Sequence, residues 1–192
     1  MRKGILSVYL VFCCLYNFAQ PCNPVKLDLT QVVIVDEDKS KTGKRLFDEQ
    51  PLSGDPLNGK EGTPKSVWFP GYKAVSYPAT ITINLLNPVK ISTIALRDVE
   101  NKGLFIIEAG VPGSWKPVVL DSLKNFQRWN KHAVGITTQY LRFTKTSGGA
   151  NVSEVILYGC RLPDGGAPDR ITDLQATVKT HESIKLLWTD RK

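Results

Sequence analysis

The sequence has few histidines, cysteines and methionines, the residues that bind zinc and other soft metals. Two histidines, one methionine and four cysteines occur among its 192 residues. His132 and His181 lie far apart in sequence, so a zinc site is not indicated. The chain also lacks a Gly-x-Ser-x-Gly elbow, a His-Glu-x-x-His motif and a phosphate-binding loop. These absences argue against an enzyme, and we predict a non-catalytic function.

A hydrophobic run long enough to cross a membrane is also lacking. The run from Ile5 to Tyr16 has about a dozen residues, whereas a span needs about 20. It follows the basic pair Arg2 and Lys3 and precedes a possible cleavage point after Ala19, as in a signal peptide. We therefore predict a signal peptide over residues 1–20, no transmembrane segment, and a secreted or cell-surface location.

The excess positive charge is not concentrated in one block. Loss of Arg2 and Lys3 with the leader lowers the formal net charge from +7 to +5. The remaining basic residues are spread along the chain, whereas nucleic-acid binders concentrate their cations on one face. No nucleic-acid partner is predicted, and a weak preference for anionic glycans or acidic lipid stays open.

Two cysteines remain after the leader, Cys22 and Cys160. An even count in an oxidising compartment favours a disulfide between them. The alternative, two unpaired thiols at opposite ends of the domain, stays open at this point.

The region from residue 21 to residue 160 has the pattern of an all-β domain. Apolar residues alternate in the segment 80–85 and in Ile94 and Leu96, and they do so again in 139–143 and 152–159. Gly, Pro and Asn clusters separate these segments at roughly ten-residue spacing, which is typical of a sandwich or barrel. One helical turn is predicted over Ser122 to Trp129, and the Pro- and Gly-rich stretch 47–77 is predicted to be an ordered apical loop region.

After this domain, residues 161–167 (RLPDGGA) are predicted to be a linker. In residues 168–192, Leu174 and Ala176 alternate before a polar turn, and Ile184, Leu186 and Trp188 alternate after it. This pattern resembles the first two strands of a fibronectin type III domain. Because two strands cannot bury that Trp alone, we predict a truncated domain of a longer protein.

The main region resembles the discoidin or coagulation factor 5/8 type C family. Leu46-Phe47-Asp48 is similar to the family's Phe-Asp segment, and Ser66-Val67-Trp68 lies where its Trp falls. The stretch 139–143 is similar to its RYLR strand, and 150–159 to its closing SEI-x-x-YG strand. The insertion from Gln50 to Lys65 is longer than usual. The resemblance implies a galactose-binding-like jelly-roll β-sandwich.

Members of that family are mostly non-catalytic modules that bind glycans, collagen or phospholipid through loops at one end of the sandwich. The resemblance therefore implies a secreted carbohydrate-binding module, monomeric within a larger multidomain chain, whose partner is a glycan or polysaccharide. Two alternatives stay open: an adhesion module that binds protein or phospholipid, and a structural spacer attached to a secreted hydrolase.

Sugar recognition needs an aromatic face for C–H groups and planar polar groups for hydroxyls. We predict that Trp68 and Trp115 belong to the core, that Trp129 packs at a helix end, and that His132 lies on the surface or fills the core. The candidate ligand contacts come from loops: Phe69, Tyr72, Arg97, Asn101 and Lys102.

The resemblance also implies a structural Ca²⁺ where the loop after the Phe-Asp segment meets the Glu of the last strand. The candidate ligands are Asp48, Asp55 and Glu154, with carbonyl oxygens completing the shell. The alternative is that Asp48 caps a turn and Glu154 pairs with a nearby Lys or Arg.

Overall fold

The structure is a computed structural model. It describes residues 22–37, 42–69, 77–100 and 102–162 with their side chains, and the backbone of 175–180 and 183–187. The predicted signal peptide and nearly all of the predicted linker lie outside the described residues, as do Tyr72 and Asn101.

Strands make up most of the described chain, as predicted, and two short 3-10 turns lie between the early strands. Within the described ranges no helix could cross a membrane. In chain order, the strands are β1 (Val25–Lys26), β2 (Val33–Glu37), β3 (Gly54–Asp55), β4 (Lys60–Glu61), β5 (Ala79–Asp98), β6 (Phe105–Val111), β7 (Ser114–Asp121), β8 (Trp129–Lys145), β9 (Val152–Arg161), β10 (Gln175–Thr180) and β11 (Ser183–Leu187).

The two longest strands, β5 and β8, belong to both halves of the sandwich. They pair antiparallel from Ala79 opposite Lys145 to Arg97 opposite Trp129, with a break in register after Asn84. The first half of β5 pairs with β2 on its other edge, and the second half pairs with β9. β6 and β7 extend the first half through β8, and β1 extends the second through β9. The predicted jelly-roll β-sandwich is confirmed.

The core lies between these two halves. Buried residues alternate with more exposed ones along much of β5 and β8, as the period of two predicts, whereas residues 152–159 of β9 are buried on both faces. The inward-facing apolar residues of these three strands belong to one cluster. Aromatic rings link the halves, with Trp68 edge-on to Phe105 at 6.3 Å and Phe47 edge-on to Phe143 at 5.5 Å. Trp68 is therefore a core residue, as predicted.

Trp115 is not in the core, so that part of the prediction is wrong. It lies on β7, which is an edge strand, and is only half-buried. The guanidinium of Arg142 lies 5.0 Å from the centre of its ring, and Arg142 also forms a two-pronged ion pair with Glu108. An edge-strand Trp that keeps one face on a cation needs no place in the core.

The long insertion packs on the outer face of the second half of the sandwich. A small apolar cluster there includes Trp129 and Tyr158. Trp129 Nε1 donates a hydrogen bond to the carbonyl of Gly62 at 3.1 Å, and Tyr158 Oη donates to Asp55 at 2.7 Å. Thus the first part of the predicted apical loop region is ordered, but it covers a sheet face.

Residues 122–128 form a loop and Trp129 begins β8, so the predicted helical turn over Ser122 to Trp129 is wrong. Leu123 and Gln127 have positive φ angles of 48° and 52°. The side chain of Asp121 accepts from Leu123 N at 2.6 Å, and that of Asp98 accepts from Asn125 N at 2.9 Å. Aspartates that capture backbone N–H groups in this way compete with helix formation.

The two ends of the domain lie at the same pole. Cys22 and Cys160 form a disulfide with their Cα atoms 5.9 Å apart, as predicted, so the free-thiol alternative is excluded. The described loop residues 99–100, 102–104, 122–128 and 146–151 lie at the other ends of the strands. We call these loops, with Phe69, the apical pole.

Near the end of the chain, β10 and β11 form an antiparallel hairpin, and its assignment to a fibronectin type III domain stays a prediction.

Candidate functional site

Phe69 is anchored at the apical pole. Its ring is half-buried, and its carbonyl accepts a hydrogen bond from Thr42 Oγ1 at 2.9 Å. The ammonium of Lys145 lies 5.8 Å from the ring centroid. Because Thr42 fixes the backbone and Lys145 contacts the ring, Phe69 is held in place before any ligand arrives.

Lys145 connects Phe69 to the loop between β8 and β9. The side chain is fully buried, and its ammonium donates to Asn151 Oδ1. Burial lowers the pKa of Lys145 to about 8, although the negative charge of Glu100 acts in the opposite direction. Because the buried ammonium of Lys145 is hydrogen-bonded to Asn151, it constrains the position of the loop between β8 and β9.

Lys102 lies against the same loop. A Cβ at Gly149 would fall 2.5 Å from Cε of Lys102, so the glycine makes room for the lysine stem. The structure therefore brings two predicted ligand contacts, Phe69 and Lys102, to the single segment 145–151.

Arg97 is positioned differently. It is half-buried next to the end of β5, opposite Trp129 on β8. Burial lowers the pKa of Arg97, the carboxylate of Glu61 raises it, and the neighbouring Arg128 lowers it further. Arg97 thus adjoins the β7–β8 loop and the insertion, while Phe69 and Lys102 adjoin the β8–β9 loop.

A cluster of three carboxylates joins the insertion to β9. Asp48, Glu49 and Glu154 each place one oxygen within 4.8 Å of the others. Glu154 is fully buried, and its Oε2 accepts a hydrogen bond from Glu49 N at 3.3 Å. Its other oxygen, Oε1, has no hydrogen-bond partner among the described residues. Glu49 was missed by the sequence analysis, although it follows Asp48 directly.

The electrostatics of this cluster are unfavourable to a bare carboxylate. The pKa of Glu154 is raised to about 9, chiefly by burial. The charges of Asp48 and Glu49 act in the same direction, and the hydrogen bond from Glu49 N and the charge of Lys26 act against it. Burial and the charge of Glu49 also raise the pKa of Asp48. The ammonium of Lys26 donates to the carbonyls of Gln50 and Gly54 on the adjoining loop. A buried carboxyl with an unpaired oxygen therefore either keeps a proton or receives a cation.

Asp55, the remaining predicted metal ligand, is engaged elsewhere. It precedes the short 3-10 turn Pro56–Asn58 and caps it by accepting from Leu57 N at 3.2 Å. It also accepts from Asn58 Nδ2 at 2.6 Å and from Tyr158 Oη at 2.7 Å. The structure brings Asp48 and Glu154 together, but it does not bring Asp55 into their cluster.

The residues that are present fit a hard cation. All three side chains offer oxygen, the donor that Ca²⁺ prefers, and one of these oxygens is buried without a partner. No sulfur or imidazole ligand belongs to the cluster, so the donor set does not favour a softer metal such as zinc.

Comparison with known proteins identifies the fold. No family model matches the sequence, and no curated protein matches it either. Among solved structures, the C-terminal domain of a chitobiase from Bacteroides fragilis has a TM-score of 0.55 and 20% sequence identity. The match covers 72% of this chain and 100% of that domain.

Two carbohydrate-binding modules of Clostridium perfringens are also similar. The family 32 module of NanJ, solved in complex with galactose, has a TM-score of 0.54 and 15% identity, covering 71% of this chain and 99% of that one. A family 32 module from a family 31 glycoside hydrolase has a TM-score of 0.51 and 21% identity, covering 70% and 94%. The resemblance to discoidin-like domains is therefore confirmed as a shared fold.

Proposed function

We propose that this chain is a non-catalytic carbohydrate-binding module of an extracellular multidomain protein. The ligand, a glycan, binds at the apical pole. The observation that carries the proposal is the placement of Phe69 and Lys102 against segment 145–151, at the pole opposite the Cys22–Cys160 disulfide. Both ends of the described domain, Cys22 and Arg161, lie at the disulfide pole and away from the apical loops.

The chemistry of the pole supports this assignment. An anchored aromatic ring offers a face for the C–H surface of a sugar, and Lys102 offers donors to its hydroxyls. Arg97 supplies further donors beside the β7–β8 loop. A similar fold binds galactose in the NanJ module. Weak binding at one such site is commonly strengthened by tandem modules in the same protein.

A structural Ca²⁺ at Asp48, Glu49 and Glu154 is part of the proposal. The cation supplies positive charge beside Glu154, whose carboxyl burial otherwise keeps protonated, and beside Asp48, whose pKa is also raised. Glu49 also accepts from the backbone N–H groups of Lys65 and Ser66, so the cluster ties both ends of the insertion to β9. The role assigned to the ion is to fix this loop.

The test is a glycan-array screen of residues 21–192, with Ca²⁺ and with EDTA. We expect binding to a restricted set of sugars, and we expect Phe69→Ala and Lys102→Ala to weaken it. Lys116→Ala is the matched control, because Lys116 is also exposed but lies on β7 near the turn at the other end of the strands. Absence of binding to every sugar in both conditions would refute the proposal and favour the spacer or adhesion alternative.

A further inference from the structure

The loop between β7 and β8 is held rigid by a polar network that the proposed site does not use. Asp121 is buried, and its Oδ2 accepts from Asn130 Nδ2 at 2.9 Å and lies 2.7 Å from His132 Nε2. Asn130 Oδ1 in turn accepts from Asn125 Nδ2 at 2.7 Å. This network fixes planar amide and imidazole groups along one wall of a surface cleft.

The cleft is open and polar, with a volume of about 610 Å³. It runs between the end of β7 and the start of β8, the strands that carry Asp121 and His132. Trp129 and Lys124 also line it. In small-ligand sites, a few fixed polar groups that converge on a concave surface orient the ligand and provide specificity.

Phe126 is exposed on the same loop. Its side chain is 55% exposed, so its ring is accessible to a ligand. The positive φ angles of Leu123 and Gln127 flank it, and the hydrogen bond from Arg128 N to Asn125 O closes the turn at 3.0 Å. The turn thus keeps the ring in solvent, although the backbone conformation is costly.

The outward charge of the loop is positive. Asp121 is the one acidic residue between positions 121 and 132, whereas Lys124, Arg128 and Lys131 are basic. Asp121 is buried and accepts three hydrogen bonds, and Lys131 lies 3.6 Å from Glu61. The exposed charges of Lys124 and Arg128 are therefore the ones that a ligand meets first.

We propose that the β7–β8 loop is a second carbohydrate subsite, which binds an acidic sugar residue of the uronate type. The sugar stacks on Phe126, its hydroxyls meet Asn125 and His132, and its carboxylate is attracted by Lys124 and Arg128. The inference rests on the proposed function, and it specifies an acidic oligosaccharide as the ligand class. Arg97, a candidate contact of the proposed site, lies near enough to Arg128 for the charge of Arg128 to lower its pKa.

The experiment is an NMR titration of ¹⁵N-labelled residues 21–192 with a galacturonic acid trimer and, separately, with a neutral galactose trimer. We expect the acidic trimer to move the amide signals of residues 121–132. Phe126→Ala should weaken this binding about tenfold, and raising the salt concentration should weaken it further because the attraction is between exposed charges. The matched control is Val111→Ala, since Val111 is also 55% exposed but lies at the β6–β7 turn.

Three results would overturn the inference: unmoved signals over 121–132, equal binding of the two trimers there, or equal effects of Phe126→Ala and Val111→Ala. Its failure is separable from that of the proposed function. Shifts at Lys102 and Gly149 alone would retain the proposed function and reject this subsite. Shifts over 121–132 alone would support the subsite and reject the first set of contacts.

Discussion

Two carboxylate sites of this domain have opposite electrostatics. At the insertion, Asp48, Glu49 and Glu154 gather three acids, and burial with mutual repulsion raises the pKa of Glu154. At the β7–β8 loop, burial also acts to raise the pKa of Asp121, but hydrogen bonds from His132, Leu123 N and Asn130 hold it below the usual value. Burial alone therefore does not decide whether a carboxyl group is protonated. The hydrogen bonds that its carboxylate accepts and the charges beside it also decide this.

The largest effect on stability is expected at Asp121, whose carboxylate already accepts three hydrogen bonds. Asp121→Ala removes the carboxylate that accepts hydrogen bonds from Leu123 N, Asn130 Nδ2 and His132 Nε2. These three donors stay buried or half-buried without that acceptor. We expect a loss of about 3 kcal/mol in the free energy of unfolding, measured by urea denaturation. Asp36→Ala, at an exposed aspartate of β2, is the control and should cost well under half as much. Equal losses for the two variants would mean that the network is not stabilising.

The pH dependence of stability should separate the two sites. Since the pKa of Glu154 is raised in the folded state, its contribution is full at acidic pH and is lost as the pH rises towards about 9. In EDTA, the wild type should therefore lose stability between pH 5 and 7.5, and Glu154→Gln should not. Lys145 acts in the opposite direction but at higher pH. Because its pKa is lowered to about 8 in the folded state, its contribution makes stability rise only as the pH increases above about 8.

Asp121 should behave in the opposite sense. Because the pKa of Asp121 is lower in the folded state than in the unfolded chain, its contribution to stability is full above the unfolded pKa. That contribution is lost as the pH falls into the acid range.

Parallel pH profiles of the wild type and Glu154→Gln between pH 5 and 7.5 would contradict the assignment of the slope to Glu154.

Added Ca²⁺ should stabilise the cluster of Asp48, Glu49 and Glu154 and leave the Asp121 network unchanged. At a concentration 100 times the dissociation constant, a ligand of the native state stabilises by about 2.7 kcal/mol. We expect the melting temperature of the wild type to rise with Ca²⁺ and to return to its starting value with EDTA, as followed by calorimetry. Glu154→Gln should lose the response. A response that survives in Glu154→Gln would place the ion elsewhere.

The smallest effect is expected at Asp55. Asp55→Ala removes the cap of the 3-10 turn and the hydrogen bonds from Asn58 and Tyr158, at a cost of about 2 kcal/mol. The stabilisation by Ca²⁺ should be unchanged, because Asp55 is outside the carboxylate cluster. If this variant abolishes the Ca²⁺ response, then Asp55 is a ligand and the cluster has been assigned incorrectly.

Local pattern predicted the fold better than it predicted the site. Leu141 and Phe143, like Val155 and Leu157, are buried because alternation along a strand is a local property of sequence. The same pattern suggested separate short strands in a region where β5 is continuous. Asn87-Pro88, expected to be a turn, lies within that strand where its pairing with β8 is interrupted.

The remaining features depend on distant contacts. Glu49 reaches Glu154 across 105 residues, and Asp98 accepts from Asn125 across 27. The first contact builds the carboxylate cluster, and the second helps to prevent the helix that the spacing of Leu123 and Phe126 suggests. Neither partner can be identified from the sequence near it, because each is chosen by the packing of the whole sandwich.

Sugar binding at the apical pole can be mapped from amide signals during titration with methyl β-galactoside and with the sugars selected by the array. We expect shifts at Phe69, Lys102 and Gly149, and none at the β6–β7 turn or beside the Cys22–Cys160 disulfide. Shifts confined to the disulfide pole, or no shift with any of these sugars, would contradict sugar binding at the apical pole.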